Sequence, residues 1–256
     1  MSDQIIGLHD WFVTPSGRYQ LAWERAQLDL AVADVFGFHA LQLGMPELDA
    51  LAANRMPHRW LATHIPTKGT AIVTDFSALP FPANSLDLVV LPHTLELAPD
   101  PHTTLREVER VLVAEGRVVI CGLNPASLWG LRQRRAHLYH RLGFGQLFLP
   151  EGEFVGYWRL RDWLRLLGFE VEVVRFGCYK PSFSREKWLQ HFDWMDRAGG
   201  RWWPILGSIY FLVAVKRVRA MTLLSPAWKI PKVLASSPVS VANRTTLTKA
   251  TKNEKK

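Results

Sequence analysis

Between residues 71 and 123, short apolar runs alternate with a helical pattern, and most of the fold prediction depends on this alternation. Ala71 to Thr74, Leu86 to Leu91 and Arg117 to Cys121 are aliphatic or β-branched runs, which is typical of buried parallel strands. Between the last two runs, apolar residues recur at helical spacing behind Asp100 and Pro101, a cap and a first-turn proline. A strand, a helix and a second strand within about 35 residues form a right-handed βαβ unit.

Patterns elsewhere in the chain predict further elements of an α/β fold. An apolar stripe closed by a glycine predicts a helix over Ser16 to Phe36, covering a ligand pocket or packing on the sheet edge. Similar reasoning predicts helices over Arg159 to Gly168 and, after a first-turn proline, over Pro46 to Ala53. Alternation predicts strands over Arg59 to Thr63, Phe169 to Val174 and Ile209 to Lys216.

Ligands of parallel sheets bind beyond the carboxyl ends of the strands. In this chain those ends carry Asp75 and Phe76, Pro92 and His93, and Gly122 and Asn124. A site at this edge is therefore predicted.

The same stretch carries a specific motif. Asp75 is followed by Leu-Pro-Phe at 79–81, Leu-Asp-Leu-Val at 86–89, Arg-Glu at 106–107, Arg-Val-Leu at 110–112 and Gly116. This order resembles the class I S-adenosylmethionine (SAM)-dependent methyltransferases of the type 11 group, over roughly residues 38 to 124. The resemblance implies a Rossmann-like seven-stranded sheet of order 3-2-1-4-5-7-6, with one antiparallel strand and helices on both faces.

The resemblance also implies a SAM site. The carboxylate of Asp75 would accept a hydrogen bond from the adenine amino group, and the backbone N–H of Phe76 would meet a ring nitrogen. His64 would lie near the ribose. The methionine end would lie near Gln42, Gly44, Met45, Pro92 and His93.

The turn after the first strand departs from the family pattern. Of three family glycines only Gly44 remains, with Pro46 and Leu48 in the other two places, and Gln42 and His64 stand where the family has carboxylates. Proline removes a backbone N–H and fixes φ at about −65°. Two hypotheses follow: a methyltransferase acting on a small-molecule acceptor, or an inactive methyltransferase-like protein that binds a partner or another ligand in the same cleft.

Candidate chemistry outside the cofactor site is sparse. His93 is the best-placed general base because imidazole titrates near neutral pH, although a structural role is an open alternative. An insertion at 124–158 carries arginines and aromatics suited to a lid or to an anionic group of the substrate, or to an ordinary exposed helix. The aromatic-rich segment 181–207 could frame an acceptor, form a dimer surface or simply pack. No spacing among the histidines indicates a metal site.

Charge divides the 256-residue chain into two parts. The formal charge is +8, yet ten lysines and arginines and one glutamate lie beyond residue 215, so the body is not basic. We predict a methyltransferase-like domain over 1–220, followed by an extended arm and disordered basic tail over 221–256. Nucleic-acid binding through this tail, and hence RNA modification, is the less favoured interpretation because the basic residues 236–256 include no aromatics.

Hydropathy and cysteine use favour a cytoplasmic protein. Met1 to Asp10 shows no secretory signal, and the apolar run Ile205 to Val215 is too short to span a bilayer. Cys121 and Cys178 show no paired spacing, so both are predicted to be reduced and buried.

Overall fold

A computed structural model describes residues 11–132, 134, 154–181 and 186–217. Within this part, seven strands form one sheet in the order β3-β2-β1-β4-β5-β7-β6. Neighbours from β3 to β5 pair in parallel, whereas β7 is antiparallel to both β5 and β6. The predicted strand order and the single antiparallel strand are confirmed.

The strands fall where the apolar runs predicted them, with some shifts at their ends. Their bounds are β1 His39–Leu43, β2 His58–Thr63, β3 Ile72–Val73, β4 Leu86–Pro92, β5 Leu112–Leu123, β6 Phe169–Gly177 and β7 Ile209–Lys216. The largest shift is at β5, which begins five residues before the predicted Arg117 because the preceding helix passes directly into the strand at Leu112.

Two longer helices begin at caps that are legible in the sequence. Thr14 accepts a hydrogen bond from Gly17 N at 3.0 Å ahead of α1, and Asp100 accepts from His102 N at 3.0 Å ahead of α3. The helices are α1 Pro15–Val32, α2 Thr94–Leu97, α3 Pro101–Val111, α4 Tyr157–Leu166, α5 Glu186–His191 and α6 Asp193–Trp202, with a 3₁₀ turn at Pro204–Leu206.

The predicted short helix over Pro46 to Ala53 is wrong. Residues 44–53 form successive turns. Gly44 and Met45 both have left-handed backbones, with φ of +78° and +51°, and such a pair turns the chain away from a right-handed helix.

Packing places apolar layers on both faces of the sheet. On one face, Leu28 and Val32 of α1 pack with alternate residues of the strands. On the other face, Leu105 and Val108 of α3 and Leu160 of α4 pack against the remaining strand side chains. Helices on both faces are what the doubly covered parallel sheet requires.

Some features of the described residues bear on the other predictions. Cys121 and Cys178 are buried free thiols, as predicted. Among the described helices, none is long and apolar enough to cross a membrane. The predicted tail over 221–256 and residues 135–153 of the predicted insertion lie outside the described residues.

Candidate active site

The carboxyl edge of the sheet brings several predicted site residues together. Gly44 follows β1, His64 follows β2, and Asp75 and Phe76 follow β3. The ring centroids of His64 and Phe76 are 3.8 Å apart. A Cβ placed on Gly44 would lie 3.7 Å from the Phe76 ring, so the turn after β1 lies directly beside that ring.

Asp75 presents an ionised carboxylate at this edge. Its side chain is exposed, and its Oδ1 accepts a hydrogen bond from Ser77 N at 2.9 Å. The hydrogen bond from the Ser77 backbone lowers the pKa of Asp75 below its ordinary value, and nearby His64 acts in the same direction. The carboxylate can therefore accept a hydrogen bond from a ligand.

The turn after β1 is held by the side chain of Gln42. Gln42 Oε1 accepts from Ala50 N at 2.9 Å, and its Nε2 donates toward three carbonyl oxygens at 2.7 to 3.0 Å, those of Gly44, Met45 and Leu48. An amide has two N–H groups, so two of these carbonyls share one of them. Gln42 is buried, and its polar atoms bond to the protein rather than facing a ligand.

A second contact joins the end of β1 to the start of α2. Thr94 Oγ1 donates a hydrogen bond to Leu43 O at 2.5 Å, and a Cβ on Gly44 would lie 3.8 Å from the same hydroxyl. The turn after β1 therefore lies next to Pro92, which ends β4, and to His93. These two residues were predicted to line the methionine end of the cofactor.

His93 occupies the centre of a buried charged cluster. It caps α2 with a left-handed backbone at φ +52° and is fully buried. Its Nδ1 lies 2.8 Å from Glu96 Oε2, and its Nε2 lies 2.8 Å from Glu24 Oε1. Burial by itself lowers the pKa of His93, but the two carboxylates outweigh it and raise this pKa to about 10.

Helix α1 completes the cluster from above the sheet edge. Gln20 Nε2 donates to Glu24 Oε1 at 2.9 Å, and Trp11 Nε1 donates to Gln20 Oε1 at 2.8 Å. Within the described residues, Glu24 Oε2 is buried without a hydrogen-bond partner. The imidazole of His93 thus lies between the carboxyl groups of Glu24 and Glu96.

Sequence reasoning missed Glu24, Gln20 and Glu96 as members of the site. The buried stripe of α1 runs through Ser16, Gln20, Glu24, Leu28 and Val32, a spacing of four residues. The signal was present in the sequence as two polar residues four apart on the stripe that continues into Leu28 and Val32. Leu21, an apolar residue beside this stripe, is only partly buried.

Comparisons with known proteins identify the family of this chain. A family model described as a methyltransferase domain matches residues 44–120. Over 223 residues the chain is 32% identical to the uncharacterized protein YafS of Escherichia coli, a match that covers 83% of this chain and 82% of YafS. The chain belongs to the class I SAM-dependent methyltransferases. It is also 32% identical over 124 residues to the demethylmenaquinone methyltransferase of Anoxybacillus flavithermus, covering 42% of this chain and 52% of that protein.

Solved structures support the methyltransferase fold. A SAM-dependent methyltransferase of Thermotoga maritima superposes with a TM-score of 0.58 at 15% identity, covering 82% of this chain and 94% of that one. Because the chain belongs to this SAM-dependent family, its cofactor is SAM. At the carboxyl edge of β2 and β3, Asp75 and His64 provide a carboxylate and an imidazole that can form hydrogen bonds.

Two clefts of this methyltransferase lie away from the carboxyl edge. One, of about 880 Å³, runs along α4 and β6, and another, of about 380 Å³, lies between the end of α1 and the start of β5. Neither is lined by Gly44, Asp75 or His93. In the described residues, no group of three or more His, Cys, Asp or Glu side chains is arranged to hold a metal ion.

Proposed function

We propose that this methyltransferase transfers the methyl group of SAM to a small-molecule acceptor bound at the carboxyl edge of β4 and β5. The single observation that carries the proposal is the meeting of Gly44, His64, Asp75 and Phe76 at one edge, with the two rings 3.8 Å apart. SAM supplies a methyl group already activated by its sulfonium. The protein then needs mainly to align donor and acceptor.

Each end of the cofactor has a proposed set of contacts. Asp75 would accept a hydrogen bond from the adenine amino group, with the backbone N–H of Phe76 on the adjacent ring nitrogen and His64 at a ribose hydroxyl. Met45 and Pro92 would line the methionine end. Gln42 would act indirectly by fixing the turn, because its amide bonds to the turn itself.

An unpaired oxygen in the buried cluster supports a cationic ligand nearby. Within the described residues Glu24 Oε2 has no hydrogen-bond partner, while Glu24 Oε1 and Glu96 Oε2 each lie 2.8 Å from a ring nitrogen of His93. A buried charge without compensation is costly, and a positive group bound at the edge offsets part of that cost. The sulfonium and ammonium groups of SAM are of this sign.

His93 has a positioning role in this proposal rather than that of a general base. A pKa of about 10 keeps its ring protonated at neutral pH, and both ring nitrogens already face carboxylates. A protonated imidazole cannot take a proton from an acceptor. We therefore assign His93 to holding Glu24 and Glu96 in place.

The acceptor would lie between the insertion and the aromatic-rich segment. Trp129, near the start of the insertion, is buried, packs edge-on against Trp11 at 5.3 Å between ring centroids, and donates to Lys180 O at 2.8 Å. This part of the insertion is thus anchored to the body beside the cluster.

Thermal unfolding with S-adenosylhomocysteine tests the cofactor contacts. A ligand at a hundredfold excess over its Kd stabilises the folded state by about 2.7 kcal/mol, which raises Tm by roughly 5 to 10 °C for a domain of this size. Asp75→Ala should remove most of this rise, because it removes the adenine acceptor. Asp162→Ala is the matched control, since Asp162 is an exposed carboxylate on α4.

The opposite result would favour the inactive methyltransferase-like protein. In that case S-adenosylhomocysteine at millimolar concentration would leave Tm unchanged in wild type, and Asp75→Ala would behave like Asp162→Ala. The comparisons give no support to this alternative.

A further inference from the structure

Helix α6 contacts the body through polar residues, of which Asp193 keeps 61% of its side chain exposed. Lys180 Nζ lies 2.6 Å from Asp193 Oδ1, and Tyr179 N donates to Asp196 Oδ1 at 3.2 Å. Gly199 faces the protein as well, because a Cβ there would lie 2.3 Å from the Tyr179 ring. The residues that attach α6 to the body are therefore aspartates and a glycine.

Its outward side carries indoles and arginines. At 100° per residue, Trp194, Arg197, Arg201 and Trp202 fall within an arc of roughly 140°. All four are exposed, Trp202 to 73% and Trp194 to 52%. The apolar surface continues through exposed Trp203 into the 3₁₀ turn, where Ile205 and Leu206 are also exposed. We call these seven residues the outer aromatic face.

This face is fixed at the same edge of the sheet as the candidate active site. Asn124, directly after β5, donates hydrogen bonds to Ile205 O at 2.7 Å and Gly207 O at 2.9 Å. Ile209, the first residue of β7, pairs with Leu123 at the carboxyl end of β5. The outer aromatic face is thus held beside the carboxyl ends of the strands.

The composition of the face fits a lipid surface. Indoles prefer the boundary between headgroups and acyl chains, and arginines between them pair with lipid phosphates. The sequence beyond residue 217 adds eight lysines and arginines against one glutamate, a charge complementary to anionic lipid. A surface that mixes exposed indoles with positive charge, and shows no acidic side chain among its seven residues, is suited to an anionic bilayer.

We propose that the outer aromatic face docks this protein on an anionic phospholipid bilayer, with the carboxyl edge of the sheet turned toward the membrane. The docking does not depend on the methyl-transfer reaction. Docking places the carboxyl edge of the sheet at the membrane surface, where amphiphilic molecules concentrate.

Vesicle flotation with the full chain tests the proposal. Wild type should float with phosphatidylcholine vesicles that contain about one third phosphatidylglycerol, and float far less with phosphatidylcholine alone. Tryptophan emission should shift to the blue on binding as the indoles leave water. The double variant Trp202→Ser/Trp203→Ser should lower the affinity at least about tenfold, because two indoles no longer enter the interface.

Matched variants separate the contributions. Trp158→Ser is the control for the indoles, since Trp158 is 57% exposed on α4, outside the outer aromatic face. Arg197→Ser/Arg201→Ser should weaken binding to anionic vesicles and leave the weak binding to neutral vesicles unchanged. Urea unfolding should give all variants the wild-type free energy of unfolding, because the replaced side chains are exposed.

Two results would overturn the proposal. Equal flotation of wild type and the Trp202→Ser/Trp203→Ser variant would show that the face does not contact lipid. Sedimentation equilibrium that shows a wild-type dimer dissociated by that double variant, without any vesicle binding, would assign the face to a second copy of this chain.

Discussion

Replacing His93 with glutamine tests whether the buried cluster is held by ionic attraction. In wild type the ring lies between Glu24 and Glu96, with each ring nitrogen 2.8 Å from a carboxylate oxygen. Glutamine keeps a polar side chain but leaves two buried carboxylates without a positive charge. Removing one partner from a buried ion pair costs about 3 to 5 kcal/mol. We expect His93→Gln to lower the free energy of unfolding by that amount near pH 6.5.

The pH dependence of the free energy of unfolding tests these ion pairs independently. Despite burial, which lowers it, the pKa of His93 is raised by the two carboxylates from an ordinary value of 6.5 to about 10. Because this pKa is higher in the folded state than in the unfolded state, the protonated ring contributes its full stabilisation below pH 6.5. This contribution is lost as the pH rises through 10. Between these two pH values the unfolded state binds fewer protons than the folded state. The free energy of unfolding therefore falls by at most about 1.4 kcal/mol for each pH unit.

Urea unfolding at a series of pH values measures both effects. A window from about pH 6.5 to about pH 8.5 lies below the ordinary cysteine pKa of 9.0, which keeps the two buried thiols out of the comparison. Wild type should lose stability across this window relative to His93→Gln. His58→Gln, at an exposed histidine of β2, should follow wild type within about 0.5 kcal/mol. The ion-pair account would be refuted if His93→Gln lowered the free energy of unfolding by less than about 1 kcal/mol at pH 6.5. Parallel pH profiles of stability for wild type and His93→Gln would refute it as well.

Two further substitutions probe the segments that flank β1. Asp87 Oδ2 accepts from Phe38 N at 2.8 Å and His39 N at 2.9 Å, so Asp87→Ala should cost about 2 kcal/mol in urea unfolding, and a wild-type midpoint would contradict this. Gln42→Ala leaves buried backbone groups of the turn unpaired, so it should lower the free energy of unfolding by about 3 kcal/mol. It should also weaken the binding of S-adenosylhomocysteine measured by calorimetry. The control Gln190→Ala, at an exposed glutamine, should change neither quantity. Unchanged binding by Gln42→Ala would separate the turn from the cofactor.

Local sequence patterns predicted best those elements whose structure depends on residues close by in the chain. Strand β7 has the predicted bounds, Ile209 to Lys216, because it is buried along its whole length and bounded by a glycine-containing turn and an exposed arginine. Helix α3 begins behind Asp100, where the cap is local. The strand order followed from the resemblance, since pairing between distant strands leaves no local signal.

The turn after β1 could not be predicted from local propensity. Pro46 is compatible with a first helical turn, but the left-handed backbones of Gly44 and Met45 send the chain elsewhere. These conformations are held by Gln42, whose side chain reaches Leu48 O and Ala50 N. Side-chain hydrogen bonds of this kind satisfy the backbone of a turn without any helix, and periodicity does not register them.

The role of His93 shows most directly what residue type alone cannot decide. An imidazole at a strand end near a cofactor suggests a general base, because its ordinary pKa is near neutral. The structure places Glu24, from a helix 69 residues earlier, against its Nε2, and Glu96 against its Nδ1. Although burial lowers the pKa of His93, the two carboxylates raise it to about 10, so the ring is protonated at neutral pH. A protonated ring with a carboxylate at each nitrogen has no lone pair to accept a proton, so the neighbours of this histidine, not its residue type, decide what it can do.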